Sequence, residues 1–412
     1  MAMNGILKNT LTLSDAIRMS KPLKFNLMIK TVGPMCNMNC RYCYYLDKSK
    51  LYNGNNIMPS DLLEKVVRDY IEASSADNVV FNWHGGEPLL AGIEYYENVV
   101  RLQNKYRGNK CIHNTLQTNA TLLNTDFALF FKDNGFLLGV SIDGPSDIHD
   151  KYRRDKRGEP TFDKVIKGIG LLHRYGVDFN TMTTVNKASE GRGLEVYKFL
   201  KQLGSRYMQF MPVVEYVDAS NYIVPPNTKD AKLASWSVNS LAYGRFMCDI
   251  FDYWVKYDVG TCFVNLFDST LANWCGVECG CCVYSDTCGF NAVVEHNGDI
   301  YPCDHFVYQE YKLGNILEKP FYEFVSSDKM MSFCIDKRNM LPRKCLMCDF
   351  LFACHGECPK HRFDKTERGE DGLNYLCNGY GLFYSHVKPY MDEMRDLLIR
   401  QLPPSEIMNK HF

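Results

Sequence analysis

Apolar and polar residues alternate over residues 25–31 (FNLMIKT), the period of a half-buried strand. A helical period follows, in which Leu62, Leu63, Val66, Val67 and Tyr70 recur along DLLEKVVRDYIEA with Ser60 in place to cap the run. Residues 78–83 (NVVFNW) read as a second strand and end in the glycine-rich HGGEP. The rhythm repeats through HNTLQT, FLLGVSID, DFNTMTTV and YMQFMPVV, separated by helical stretches such as TFDKVIKGIGLLHRYG. About six strands alternating with helices predict an α/β fold, a parallel sheet or incomplete barrel, in which chemistry collects at the C-terminal ends of the strands.

Beyond about residue 215 the alternation stops. DASNYIVPPNTKDAKLASW reads as an irregular insert, and a helix is predicted over 241–257. From Cys275 the chain is cysteine-dense and loop-rich, with Asn297-Gly298 between the arms of FNAVVEHNGDIYPC predicting a hairpin whose two turn residues both take positive φ. Such a stretch fits a small domain held by metal more than by a core of its own. Residues 381–402 read as helix and PPSEIMNKHF as a tail. The expected division is a β/α barrel over 1–235, a linking helix region over 236–274, a cysteine-rich domain over 275–380, and a C-terminal helix and tail over 381–412.

Composition narrows the classes. With 412 residues and 46% hydrophobic content the chain can build two packed domains. A formal net charge of -1 gives no basic field for nucleic acid or for an anionic membrane surface. The opening residues, MAMNGILKNTLTLSDAIRMSKPL, lack a basic head before an apolar core, and no apolar run is long enough to span a bilayer, so a cytoplasmic protein is expected. Eighteen cysteines are many for that compartment, which keeps thiols reduced, and metal or redox chemistry becomes the leading explanation. Three sit at 36, 40 and 43, two at 111 and 248, and thirteen crowd 262–377, so two separate systems are implied.

The first system is CNMNCRYCYY, a C-x3-C-x2-C motif directly after the first strand. Scattered at random, eighteen cysteines would give this spacing roughly 0.03 times, so chance is a poor account. A structural zinc site would close with a fourth Cys or His, and none lies nearby in sequence. Three thiolates on an iron–sulfur cubane leave one iron open.

This spacing resembles the signature of the radical S-adenosyl-L-methionine (AdoMet) enzymes. The resemblance implies a 4Fe-4S cluster on Cys36, Cys40 and Cys43, whose open iron chelates the amino and carboxylate groups of AdoMet and whose electron releases a 5'-deoxyadenosyl radical. Tyr42 matches the family's aromatic beside the adenine. HGGEP resembles the family's GGE motif, which makes Gly85, Gly86 and Glu87 cofactor-binding candidates: glycines allow close backbone approach, and exposed carbonyls can accept from the AdoMet ammonium. Ser141 and Arg153 match a clamp on the methionine carboxylate. Arg154 is adjacent, and the choice of Arg153 rests on the resemblance alone. Val214 matches a region that touches adenine.

The second system centres on Cys345, Cys348, Cys354 and Cys358, spaced C-x2-C-x5-C-x3-C, with Gly298-x4-Cys303 and Cys288 upstream and Cys377 downstream. The array resembles the SPASM domain, the iron–sulfur module of peptide-maturing radical AdoMet enzymes. The resemblance implies two further 4Fe-4S clusters, three in all: one on Cys282, Cys288, Cys303 and Cys358, the other on Cys345, Cys348, Cys354 and Cys377. Clusters with four protein ligands suit electron transfer. Cys275, Cys279 and Cys281 remain competitors of Cys282. Cys111, Cys248, Cys262 and Cys334 read as buried small hydrophobes.

Asp304 follows Cys303 in YPCDHF, where a carboxylate beside a cluster could act as a base. YPCDHF, YKLGNI and CDFLFACHGECPKHRF resemble the anaerobic sulfatase-maturating enzymes, and the resemblance runs over nearly the whole chain. It implies a partial (β/α)6 radical SAM barrel followed by a SPASM domain. It also implies oxidation of a Ser or Cys, within a C/S-x-P/A-x-R motif of an unfolded sulfatase, to Cα-formylglycine. A hydrogen atom leaves the β-carbon, Asp304 takes a proton, and an auxiliary cluster takes the remaining electron. A ferredoxin or flavodoxin would serve as electron donor. Tyr44, Tyr45, His84, Gln117 and Asn119 fall at strand ends where they could line a peptide channel. Two alternatives stand beside this reading: a SPASM enzyme cross-linking a ribosomal peptide, and a multi-cluster electron carrier, which would need neither HGGEP nor the Ser141/Arg153 pair.

Overall fold

The computed structural model describes residues 25–52, 57–225 and 228–410. Six parallel strands lie side by side in chain order: β1 (Asn26–Lys30), β2 (Asn78–His84), β3 (Cys111–Thr118), β4 (Leu137–Ser141), β5 (Phe179–Val185) and β6 (Tyr207–Pro212). Helices such as α1 (Ser60–Ala73), α2 (Ile93–Tyr106) and α3 (Phe162–Tyr175) return the chain between them. The pattern that predicted α1 is the one it buries, since Leu62, Leu63, Val66, Val67 and Tyr70 all face the core. β2 alternates in the same way, with Val79, Phe81 and Trp83 buried against it. The six-strand β/α architecture is therefore as expected.

The sheet does not stop at six strands. A short strand, β7 (Phe263–Val264), adds to β6 in parallel. At the other end β8 (Asn291–Val294) pairs in parallel with β1, and β9 (Asp299–Tyr301) and β10 (Gly314–Asn315) continue antiparallel. The expected linking region and the cysteine-rich region thus each contribute strands to the barrel sheet. The hairpin stands, but its turn is longer than expected: Glu295 N–H bonds Asp299 O at 2.8 Å, and only Gly298, not Asn297, takes positive φ. This is the three-residue loop that ends in one left-handed residue.

Other expectations shift by local physics. Pro59, not Ser60, stands at the helix cap of α1, and the Ser60 hydroxyl accepts from Asn98 instead. The insert after residue 215 contains a small antiparallel sheet of Tyr216–Val217, Ile223–Val224 and Lys232–Leu233. The C-terminal helix begins earlier than expected, at Cys377, and runs to Ile399. It crosses the helix Ser240–Tyr257 so closely that a Cβ on Gly379 would lie 2.0 Å from Ser240 O. The tail forms a turn of 3-10 helix, Pro404–Asn409, anchored by buried Ile407. Cys248, Cys262 and Cys334 are buried as expected, whereas Cys111 is exposed because it opens β3 at the sheet's outer rim.

Candidate active site

The segment carrying Cys36, Cys40 and Cys43 leaves β1 and is pinned on two sides. On one, Gly86 N donates to Gly33 O at 2.7 Å and Glu87 N to Met35 O at 2.9 Å. On the other, Asn39 N and Arg41 N donate to Arg154 O and Tyr152 O at 2.8 and 3.0 Å. Gly86 has a specific reason to be glycine, because a Cβ there would sit 2.0 Å from the Met35 carbonyl oxygen. The close approach anticipated for a ligand is thus made by the chain's own cysteine loop. Glu87 is fully buried and its carboxylate is taken up internally: Oε1 accepts from Leu89 N and Thr118 Oγ1, and Oε2 from Asn119 N at 2.7 Å. It braces the loop after β3 against the HGGEP turn, and its backbone is engaged as well, N with Met35 O and the carbonyl with Leu90 N.

The sulfurs are set up to carry charge. Burial pushes the Cys36 thiol up to about 12, an unfavourable place for a lone thiolate, but the Met38 N–H points at its sulfur from 3.3 Å. The amide two residues ahead plays the same part at Cys43, Cys303, Cys354 and Cys358, where the N–H groups of Tyr45, His305, Gly356 and Lys360 face the sulfurs. Amide donors aimed at buried sulfur are what an iron–sulfur cluster needs from its protein, so these residues fit that group.

Tyr42 and Arg153 meet on a residue that the sequence reading passed over. The Tyr42 hydroxyl donates to Asp143 Oδ2, and Arg153 Nε lies 2.9 Å from Asp143 Oδ1. The Arg153 N–H is not aligned along that line, so the pair is a buried charge contact, not a directed hydrogen bond. Arg153 also stands 5.5 Å from the Tyr42 ring and is the main group that favours the Cys40 thiolate against its burial. Ser141 is at the end of β4 and accepts from Gln117 at 2.9 Å. Asn119 reaches the cysteine loop, bonding Asn37 Oδ1 at 2.9 Å and approaching Cys36 Sγ at 3.8 Å. Val214 faces the main core, while its neighbour Val213 packs with Tyr42.

The later cysteines fall into two groups. Burial raises the Cys303 and Cys358 thiols, and nearby thiols add to it, Cys358 and Cys282 at Cys303, and Cys288 and Cys282 at Cys358. Separately, Cys345 and Cys377 act on Cys354, and Cys348 acts on Cys377. The resemblance to the SPASM domain implies a cluster on each of these sets, whereas spacing alone groups Cys358 with Cys345, Cys348 and Cys354. Of the competitors, Cys279 and Cys281 pack against the core and neighbour each other, and Cys275 faces Arg395.

Asp304 joins the two cysteine systems. Tyr44, the residue after Cys43, donates its hydroxyl to Asp304 Oδ2 at 2.6 Å. Lys30 Nζ, at the end of β1, lies 3.8 Å from the same oxygen and 3.2 Å from His84 Nδ1. Burial alone would raise the Asp304 pKa, but the charges of Lys30 and, in acid where they are protonated, of His305 and His84, with the Tyr44 hydrogen bond, hold it well below the usual carboxylate range. Burial lowers His84 to about 3 and His305 to about 4, so both rings are neutral near pH 7. Tyr45 instead turns to Glu295 at 2.7 Å, under Lys30. Lys30 and the pair Glu215–Lys360, whose ammonium is 4.7 Å from the Tyr44 ring, were not singled out from the sequence. The one local hint was a lysine at a strand end beside the motif.

Residues 31–200 match the family model of the radical SAM superfamily, and residues 281–349 that of SPASM, an iron-sulfur cluster-binding domain. The serine-type anaerobic sulfatase-maturating enzyme of Bacteroides thetaiotaomicron is 46% identical over 395 residues, 94% of this chain and 95% of the relative. The chain belongs to the anaerobic sulfatase-maturating enzymes. The cysteine-type member of this family from Clostridium novyi is 33% identical over 365 residues, 87% of this chain and 94% of that one. The solved structure "Native anSMEcpe with bound AdoMet and Cp18Cys peptide" superposes with a TM-score of 0.80 at 30% identity, covering 91% of this chain and 99% of that chain. As a member of this family the chain is a radical SAM oxidoreductase with a SPASM domain, and its cofactors are iron–sulfur clusters and AdoMet. The electron-carrier alternative falls with this assignment. Among the described residues no helix is long and apolar enough to cross a membrane.

Proposed function

We propose that this enzyme oxidises one serine or cysteine of an unfolded sulfatase, within a C/S-x-P/A-x-R segment, to Cα-formylglycine. The observation that carries the reading is the hydrogen bond from Tyr44 to Asp304, 2.6 Å long, which ties the residue after Cys43 to the residue after Cys303. A carboxylate between a radical source and an electron acceptor suits a reaction that removes a hydrogen atom, a proton and an electron from one side chain.

Cys36, Cys40 and Cys43 would hold the AdoMet-binding 4Fe-4S cluster, and the sets Cys282/Cys288/Cys303/Cys358 and Cys345/Cys348/Cys354/Cys377 two auxiliary ones. When bound, these groups supply a radical that takes a hydrogen atom from the target β-carbon and an acceptor for the second electron. Asp304, ionised and acceptor-only, receives the hydroxyl or thiol proton, with Lys30 and Tyr44 holding it in place. Loss of those three particles leaves an aldehyde, or a thioaldehyde that water hydrolyses to one. Arg153 and Ser141 clamp the methionine carboxylate, with Asp143 orienting Arg153 and Tyr42 together. Tyr42 and the backbone at Gly85, Gly86, Glu87 and Val214 receive the remainder of AdoMet.

The greater identity to a serine-type relative, 46% against 33%, favours a serine target. Iron–sulfur clusters on many cysteines suit a reducing cytoplasmic location, where a ferredoxin or flavodoxin would donate electrons. The proposed division is a barrel over 1–235, a linking region over 236–274, a SPASM domain over 275–380 and a C-terminal segment over 381–412. The test is anoxic: reconstituted enzyme, reductant, AdoMet, and synthetic peptides with Ser or Cys in the motif. Aldehyde is expected on the peptide, and AdoMet cleavage with no aldehyde on either peptide would overturn the reading. Asp304→Asn should keep iron content and AdoMet cleavage while losing most aldehyde formation.

A further inference from the structure

Lys337 sits on the helix Asp328–Asn339 and is only 1% exposed. A lysine so deep must have its charge met. Its Nζ donates to the carbonyl oxygens of Cys282, Val283 and Ser285 at 2.5, 2.8 and 2.5 Å. An ammonium has three N–H donors and no acceptor, so three converging carbonyls match the charged form. The first of these carbonyls is that of Cys282 itself, and all three lie on the short segment that leads to Cys288.

Arg362 is the second cation in this region. Its Nε donates to Gly356 O at 2.7 Å and its Nη2 to His355 O and Glu357 O at 2.7 and 3.0 Å, while Nη1 donates to Lys337 O. His355, Gly356 and Glu357 are all left-handed, at φ 48°, 69° and 55°, and Arg362 collects all three of their carbonyls. This run links Cys354 of one thiol set to Cys358 of the other. The guanidinium is thus hydrogen-bonded to the run between Cys354 and Cys358, one from each set, whereas the Lys337 ammonium is bonded to the segment that carries Cys282.

We propose that Lys337 and Arg362 are fixed internal cations that set the reduction potentials of the auxiliary clusters, with Lys337 raising the Cys282/Cys288/Cys303/Cys358 cluster above its neighbour so that it takes the substrate's electron first. The inference rests on the cluster assignment of the proposed function. One-electron reduction adds one negative charge to a cluster, and a buried cation bonded to the backbone that carries the ligands stabilises that state. Arg362 raises both clusters; Lys337 supplies the difference between them.

The test is a redox titration followed by electron paramagnetic resonance on the full chain carrying Cys36, Cys40 and Cys43→Ala, so that only auxiliary clusters contribute. Lys337→Met should lower the reduced-to-oxidised ratio of one cluster roughly tenfold at fixed potential, a shift of about 59 mV to the negative for a one-electron couple. The other cluster should hold still, Lys337→Arg should leave both at the parent value, and Arg362→Gln should move both. Lys337→Met that fails to bind iron where Lys337→Arg binds it fully also supports the charge. Fully loaded Lys337→Met with unmoved midpoints overturns the inference, as does loss of iron from both Lys337 variants, which would make the residue a steric staple. A parent chain without auxiliary clusters would instead overturn the cluster assignment, and this inference with it.

Discussion

Replacing Tyr44 by Phe removes one hydroxyl from the contact between the two cysteine systems and little else. The ring keeps its edge contact with His305 at 4.7 Å and its place beneath Lys360 at 4.7 Å, so packing survives. What is lost is the 2.6 Å donor to the Asp304 carboxylate. A hydrogen bond to a charged acceptor contributes about 1.5–3 kcal/mol, and an unsatisfied buried carboxylate costs in the same range. Lys30, 3.8 Å away, remains to hold the carboxylate ionised but does not aim it. If that bond positions the base, the barrier to proton removal rises by a similar amount and aldehyde formation falls about ten- to a hundredfold. AdoMet cleavage in the absence of peptide, and iron per chain, should match the parent enzyme, because the cysteine loop is anchored elsewhere, through Gly33, Met35, Asn39 and Arg41. The assay follows 5'-deoxyadenosine and peptide aldehyde together in single-turnover reactions. Equal loss of both products would assign Tyr44 to the radical site, and no loss of either would remove the Tyr44–Asp304 contact from the mechanism.

Gly86→Ala pushes a methyl into the Met35 carbonyl, a backbone neighbour that cannot rotate away. Overpacking of this kind costs about 1–3 kcal/mol, so a lower melting temperature and poor iron loading at the first cluster are expected, measured by calorimetry and iron content. A variant that loads iron like the parent would show that the loop tolerates the shift. Cys282→Ser should cost about one cluster's worth of iron and sulfide, whereas Cys281→Ser, whose thiol faces Cys279 and the core, should retain it; the reverse result would exchange the two assignments.

What the sequence made legible was chemistry carried by short spacing. The C-x3-C-x2-C loop, the HGGEP turn and the alternation of strands with helices are each determined by residues close together in the chain, and each was found where expected. What it hid depends on distant segments meeting. Asp143 lies inside the conspicuous SIDGP stretch, but its work of holding Tyr42 and Arg153 is defined only when three loops converge. Lys30 ends a strand whose alternation gave no reason to expect a buried ammonium. Val213 and Val214 differ by a single step, and in extended chain a single step exchanges the two faces. The hairpin after Val294 announced its own turn, but nothing in its alternation says that its first arm will lie against β1.

That pairing bears on how the molecule comes to be made. Asn26 and Asn291 lie opposite each other in the β1–β8 ladder, their side-chain amides bonded at 3.0 Å across 265 residues of chain. At about 5–20 residues per second, β1 waits roughly 13–50 s during synthesis for the strand that covers its edge. Until then it is an open parallel edge with buried-type side chains, the kind of surface that recruits other chains. A fragment ending at residue 235 would keep that edge permanently bare, so the barrel should not be expected to survive as a separable catalytic unit. The hairpin that leads to Cys303 is a wall of the barrel, and its late arrival closes the fold at the same moment that it delivers Cys303 and Asp304 to the mouth.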